Sequence, residues 1–426
     1  QFPGNTEKPR LRPWRCELTA CSRYTNFYFV AHGKVISVYE PLFGDQALGS
    51  PVIVLHPPVS VPAPQGYIDP RNPHDIDRLH VDYLGRKEVL LVACDDGDVV
   101  GYYVSAIKNA VEGRTPGAPV QEPRPFLHTN VRLSAWGLSV HRRARLLAIS
   151  SNTGIITVIA FALASNNGDG GRAHSVKEFN VGHNIPFISF NNSGTDPEGR
   201  WLLSASISGD AQLWDLHRSG EQGPAMPYCP YIIVCKNEVY LFQPGNPASP
   251  STYSLANLRP IIAAPEPLKP PDTLSSHWDR MNYSLYIAEL GIFLVAAPSG
   301  RCAIFTLTQY NIPVKDSPNQ TKTIYGMRQD YTLPFKEQEE QDPRFKDCWR
   351  NGRVLLVGIA AGPAQGCMDK EEDERGSGSE SESEEEWHGP RLWRLFLHYS
   401  DHTVLTYELV RKARGLEQDW GVLPAW

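Results

Sequence analysis

Apolar residues in this chain gather in short runs that come in pairs, each pair divided by a few Gly, Asn, Asp or Ser residues. Seven such pairs occur: 27–40 (FYFVAHGKVISVYE), 90–104 (LLVACDDGDVVGYYV), 146–161 (LLAISSNTGIITVIAF), 202–216 (LLSASISGDAQLWDL), 231–244 (YIIVCKNEVYLFQP), 293–307 (FLVAAPSGRCAIFTL) and 394–409 (RLFLHYSDHTVLTYEL). Runs of this length around turn-forming residues predict β-hairpins. A lone hairpin cannot bury its apolar face, so seven in series predict stacking into one closed array. The expected fold is all-β, a seven-bladed propeller with long inter-strand insertions. It spans 1–426 as a single domain. Its first two dozen residues, including 11–18, are expected to supply a strand that closes the ring against the last blade.

Blade spacing is uneven. Only 28 residues separate Trp214 from Phe242, too few for four ordinary strands, so the fourth or fifth blade is expected to lack a strand or borrow one. From Phe305 to Tyr407 there are 102, enough for a long insertion. Seven blades of about 40–45 residues need roughly 300, so 426 residues accommodate one propeller and its loops.

The fourth hairpin carries the most specific pattern. Gly182-His183 precedes it and Trp214-Asp215 ends it, as in a WD40 repeat. There a buried His, a strand Ser or Thr, a turn Asp and the Trp N–H form a hydrogen-bonded chain. That chain satisfies polar groups the blade must bury. Counting back from Trp214, the Asp position falls on Ser208, with Asp210 two residues further on. His183, Ser208 and Trp214 are therefore read as structural, and the chain as incomplete.

The charge is uneven as well. Residues 369–386 (DKEEDERGSGSESESEEE) hold ten acidic residues against Lys370 and Arg375; their −8, against −6 for the whole chain, leaves about +2 for the remainder. Such a segment cannot bury enough apolar surface to offset its ordering entropy. A disordered acidic loop over 366–389, inserted in the last blade, is expected. Ser377, Ser379, Ser381 and Ser383 each precede a Glu by three residues, the pattern of acidophilic kinases. The loop reads as a solubiliser or as a regulated contact for a basic partner, and it argues against direct nucleic-acid binding.

Other candidates yield little. Cys94, Cys235 and Cys302 fall inside strands as small core residues, and neither Cys16 with Cys21 nor Cys229 with Cys235 has zinc spacing. No metal and no cofactor is expected, and the cysteine usage fits a reducing compartment. Asp95, Asp96 and Asp98 form a hairpin turn rather than a calcium loop. HYSDHT (398–403) is likewise a turn, without a nucleophile motif. The basic clusters 141–145 (HRRAR) and 410–414 (VRKAR) could meet phosphates or direct nuclear import, though short runs are more often solvated surface. With no 18-residue apolar run and no leader pattern, the chain is expected to be soluble, intracellular and not membrane-bound, unless the start at Gln1 conceals a removed leader.

The order of 74–99 (HDIDRLHVDYLGRKEVLLVACDDGDV), SAWGLSVHRRARLLAISSNTG, GHNIPFISF, WLLSASISGDAQLWD, MNYSLYIAELGIFLVAAPSGRCAIFTL, MRQDYTLPF and LHYSDHTVLTYEL resembles the fungal "constitutive ribonucleotide-reductase transcription" WD-repeat proteins. The resemblance covers most of 74–409. It implies a nuclear and cytoplasmic DNA-damage-response protein that restrains ribonucleotide reductase transcription. It also implies association with a cullin-type ubiquitin ligase through an adaptor similar to the damaged-DNA-binding protein, the propeller receiving a substrate protein. Propellers that dock on such adaptors often end a repeat in Trp-Asp-x-Arg. Here Trp214, Asp215 and Arg218 are the docking candidates, with His217 where Arg is expected and Arg218 displaced by one. The leading expectation is a non-enzymatic interaction module, monomeric on its own. The alternatives are a nuclear transcriptional scaffold without a ligase role and a propeller hydrolase, which would need acidic or His ligands converging on the central channel.

Overall fold

The computed structural model describes residues 15, 17–61, 68–114, 121–161, 175–192, 194–218, 221–222, 231–235, 238–243, 251–257, 283–298, 300–314, 317–342, 355–366, 392–414 and 417–424. Each predicted hairpin supplies two neighbouring strands of one antiparallel sheet. The first sheet runs β1 (Thr19–Cys21), β2 (Tyr28–His32), β3 (Val35–Tyr39), β4 (Ile53–Leu55). The second runs β5 (Ile76–Leu84), β6 (Lys87–Cys94), β7 (Asp98–Tyr103), β8 (Leu127–Asn130), with helix α1 (Val104–Glu112) between its last two strands. The third holds β9 (Ala135–His141), β10 (Leu146–Ser151), β11 (Ile155–Ala160) and β12 (Ser175–Asn180). The fourth holds β13 (Phe187–Phe190), β14 (Trp201–Ala205), β15 (Ala211–Asp215) and β16 (Glu221–Gln222).

The fifth sheet has three strands, β17 (Tyr231–Val234), β18 (Glu238–Gln243) and β19 (Ser251–Asn257). Four-stranded order returns with β20 (Tyr283–Ile287), β21 (Ile292–Ala296), β22 (Cys302–Val314) and β23 (Ser317–Leu333), followed by the short helix α2 (Lys336–Gln341). The last sheet is β24 (Leu356–Pro363), β25 (Leu392–Tyr399), β26 (Val404–Arg414) and β27 (Glu417–Pro424). The molecule is an all-β propeller. The expectation of seven blades is corrected to six complete ones, because the fifth sheet holds its hairpin and an outer strand but, among the described residues, no inner one.

Sheets pack face to face, so strands inside a blade are buried on both sides and read as nearly continuous apolar runs. In β6 every residue after Lys87 is buried. Outer β12, by contrast, buries only Phe179 and is mostly polar. Separate apolar clusters fill the spaces between neighbouring sheets: Leu18, Phe29, Ile36, Leu90 and Val100 between the first and second, for example, and Ile292, Leu294, Trp393 and Leu395 between the sixth and last. Each fully buried Val, Leu, Ile or Phe contributes about 1.5–3 kcal/mol.

Because each sheet is a simple meander, turns between its second and third strands and the linkers between blades lie at one end, here called the upper face. Turns between first and second strands lie at the other, the lower face. Upper-face turns reach the linker that enters their own blade, as in Asp95 N–H to Asp75 C=O (3.0 Å), Asn152 N–H to Ser134 C=O (3.0 Å) and Ile207 N–H to Asn184 C=O (3.0 Å). The last blade draws all four strands from 356–424, and the amino-terminal segment meets it along inner strands, with Leu18 N–H donating to Val357 C=O at 3.1 Å. Among the described residues no helix is long and apolar enough to cross a membrane.

Candidate interaction face

The upper face of the second blade is built around its Asp-rich turn. Gly97 takes φ +84°, and a Cβ there would come within 2.9 Å of the Leu133 carbonyl, so the tight turn needs glycine. Three carboxylates flank it, and each holds a different stretch of the long linker before β5. Asp95 accepts from the N–H of Ile68 (3.0 Å) and of Asp69 (2.8 Å). Asp98 accepts from Ser60 N–H (2.8 Å) and Oγ, and from Asn130 Nδ2 (2.8 Å). Asp96 Oδ2 lies 2.7 Å from His74 Nδ1, while His74 Nε2 lies 3.0 Å from the Pro57 carbonyl. On the outer side Glu122 receives His56 N–H (2.8 Å) and pairs with His56 Nδ1 (2.7 Å).

The strip 56–61 is therefore pinned at His56, Pro57 and Ser60. It presents Val59 (42 % exposed), between Pro57 and Ser60, and Val61 (96 % exposed), just past Ser60, to solvent. Ile68 is also exposed, and on the fourth blade Ile207 stands on the same face. Apolar side chains held outward by a buried polar network form a rigid surface for a partner.

His74, Cys94 and Asp96 present ligand-type atoms within 4.8 Å of one another. Both ring nitrogens of His74 face acceptors, so both donate and neither lone pair is left for a cation. Burial, with the charges of Asp96, Asp77 and Asp98, pushes the Cys94 thiol well up and keeps it neutral. These residues hold the turn. The sequence pattern missed the pair because no Gly precedes His74.

Blade four corrects two expectations. Trp214 Nε1 donates to Ser204 Oγ at 2.8 Å, whereas Ser208 bonds Asp210 (2.7 Å) and Ser206 within its exposed turn. His183 is exposed and takes no part in a buried chain. Ser208 and Asp96 each stand six residues before the aromatic of the third strand, Trp214 and Tyr102, so the His–Asp link absent from blade four is made in blade two. Of the docking candidates, two face inward. Trp214 is buried, and Asp215 is fully buried against Arg200 (3.0 and 2.6 Å) and accepts His217 N–H (3.0 Å), so neither is presented to a partner. Arg218 ends a 3-10 turn, Leu216–Arg218.

Cys94 and Cys302 are buried as expected, but Cys235 is exposed, one residue past β17, where it begins a turn with its N–H on Glu238 C=O (2.8 Å). Cys16, Cys229 and the serines 377, 379, 381 and 383 lie outside the described residues. In HYSDHT, Asp401 accepts from Thr403 N–H (2.9 Å) and Oγ1 (2.9 Å), closing the turn.

Among the described residues, an ion pair joins inner strands across the centre of the ring. Glu17, at φ +57° just before β1, meets Arg78 of β5 and accepts from the Ser284 N–H of β20, while the Arg78 guanidinium lies 5.2 Å from the Phe187 ring centroid of β13. Four blades meet at this contact.

Residues 59–226 match the CRT10 family model, a stretch that begins inside the pinned strip and includes the Asp-rich turn and the fourth blade. Over that stretch the chain is similar to the CRT10 family. The chain is also similar to an uncharacterised WD repeat-containing protein of Schizosaccharomyces pombe (strain 972). That protein is 30 % identical over 212 residues, 48 % of this chain and 40 % of the relative. The chain thus spans about two-fifths of the length of the curated relative it matches. A chain in the crystal structure of a mitotic checkpoint complex is 12 % identical, with TM-score 0.45 over 95 % of this chain and 94 % of that one.

Proposed function

We propose that this propeller is a non-enzymatic protein-interaction module whose upper face, at the pinned 56–61 strip, receives a protein partner. The observation that carries the reading is the exposure of Val59 and Val61 on a backbone held by Asp98, His74 and Glu122. A fixed apolar surface of this kind needs little ordering on binding. In the CRT10 setting the partner is a substrate protein, and the chain acts as a receptor or adaptor of a cullin-type ubiquitin ligase that restrains ribonucleotide reductase transcription under replication stress. A second reading, a nuclear scaffold without a ligase, is favoured by His217 in the place of the docking Arg and by the burial of Asp215.

Affinity purification from fungal cells, with and without replication stress, separates the two when followed by mass spectrometry. Recovery of a cullin and its adaptor, lost with Arg218→Ala, supports the receptor. A Val61→Asp variant is expected to lose the substrate while keeping the adaptor. Chromatin or transcription proteins with no cullin component would remove the ligase and leave the scaffold.

A further inference from the structure

Two neighbouring lower-face turns gather cations. Arg86 and Lys87 lie at the β5–β6 turn, and Arg142, Arg143 and Arg145 at the β9–β10 turn; all but the half-buried Arg145 are exposed. The turns are tied together by Gly85 N–H to Arg142 C=O (3.0 Å) and by Arg142 Nε to Gly85 C=O (3.3 Å). The Arg142 guanidinium lies 4.7 Å from the Tyr83 ring centroid, and Lys87 Nζ lies 4.8 Å from that of Tyr103. Aromatic contacts of this kind hold the long stems in place.

Among the described residues, Arg86, Lys87, Arg143 and Arg145 form no ion pair. Nearby carboxylates are few. Glu88 is buried and accepts Ser22 Oγ (2.6 Å) and Arg23 N–H (2.6 Å), Asp82 lies 3.5 Å from His80, and Glu198 is exposed.

The acidic segment leaves and re-enters the fold on this same face, between β24 and β25. Its root is closed by Ala364 N–H to Leu392 C=O (3.0 Å), and Asn26 Nδ2 bonds Gln365 Oε1 (3.0 Å). From Asn26 the contacts continue through Ser22 and Arg23 to Glu88, beside the basic turns. Neighbouring sheets pack about 10 Å apart, so the basic turns stand roughly 20–30 Å from the root. Half of the 25 residues between Gly366 and Leu392 can extend about 40 Å.

We propose that the Arg86–Lys87–Arg143 patch is a docking surface for an acidic polypeptide, and that residues 369–386 of the same molecule are its occupant. The segment carries −8 against a cationic surface on the same face of the molecule, whose Arg86, Lys87 and Arg143 form no ion pair among the described residues. Its field also repels a nucleic-acid backbone from that face, which favours a polypeptide occupant. Phosphate on Ser377, Ser379, Ser381 or Ser383 adds about −1.5 to −2 charges per site and tightens the contact. The pairing is exposed and therefore salt-sensitive.

The test is zero-length carbodiimide cross-linking of the intact chain at low and high salt, read by mass spectrometry. Links from Lys87 to carboxylates of 369–386 are expected within the monomer, falling several-fold in high salt and in an Arg86→Glu/Arg143→Glu variant. The Lys108–Glu112 link, 3.6 Å apart, is expected to stay constant. The salt titration needs no variant, and the readout does not depend on a ligase partner. Absence of Lys87 links while the Lys108–Glu112 link forms would overturn the proposal, as would links confined to dimers. Single-strand oligonucleotide binding to the intact chain that the double variant abolishes would make the patch a nucleic-acid site and also overturn it.

Discussion

His74 sits between Asp96 and the Pro57 carbonyl with both nitrogens donating. Burial, the largest influence on the ring, opposes its charge. The hydrogen bond and charge of Asp96, the Pro57 carbonyl and the Asp98 charge together outweigh burial and raise its pKa above 6.5. A raised folded pKa means that the stabilisation is full below the unfolded value and lost as pH rises through the folded one. The urea unfolding midpoint is therefore expected to decline as pH rises above about 6.5 and through the raised folded pKa. Asp96→Asn should flatten that slope, and equal slopes in the two proteins would refute the assignment. At this scale the sequence was half legible. DDGD was recognisable as a turn, but its partners Ile68, Ser60 and His74 lie 27, 38 and 22 residues or more away, with no local pattern to mark them.

Where the last blade meets the first, β25 and β2 carry a pH-sensitive contact between elements. Tyr28 Oη lies 2.9 Å from His398 Nδ1, and the His402 ring stands edge-on to His398 at 6.3 Å. Burial first, then the charges of His402 and His32, pushes the His398 pKa down to about 3. As pH falls below about 6.5 the unfolded chain takes up the proton that the folded chain refuses, so stability declines toward pH 3. His398→Gln keeps a polar partner for Tyr28 and removes the titration. Its acid unfolding curve, followed by circular dichroism, is expected to be shallower over that interval than that of the unaltered chain. The hairpin strands were legible because they are apolar runs joined by short turns, in the first, second, third, sixth and last sheets buried on both faces. Outer strands such as β12 and β16 were not, being polar or very short, with pairing set by the neighbouring strand rather than by their own pattern.

Across the whole molecule the ring is tied at its centre by Glu17 and Arg78. Removing one partner of a buried pair leaves the other charge uncompensated, so Arg78→Met is expected to cost about 3–5 kcal/mol in chemical denaturation. A loss below about 1 kcal/mol, the range of an exposed pair, would show that the channel is wet and the pair dispensable. The uneven spacing after Trp214 foretold a blade short of a strand, because chain length alone limits how many strands fit. The missing strand's inner position was not foretold, since that depends on which strands the remaining hairpin pairs with.

The root of the β24–β25 insertion has a practical bearing on how this chain tolerates change. The strands below it are held in register by Gly362 opposite Arg394 and Pro363 opposite Trp393, and Ala364 N–H seals the neck against Leu392. Doubling the length of a flexible loop costs only about 0.6 kcal/mol in closure entropy. Length and composition at this position can thus drift, or be engineered to carry a reporter domain, with little consequence for the propeller beneath.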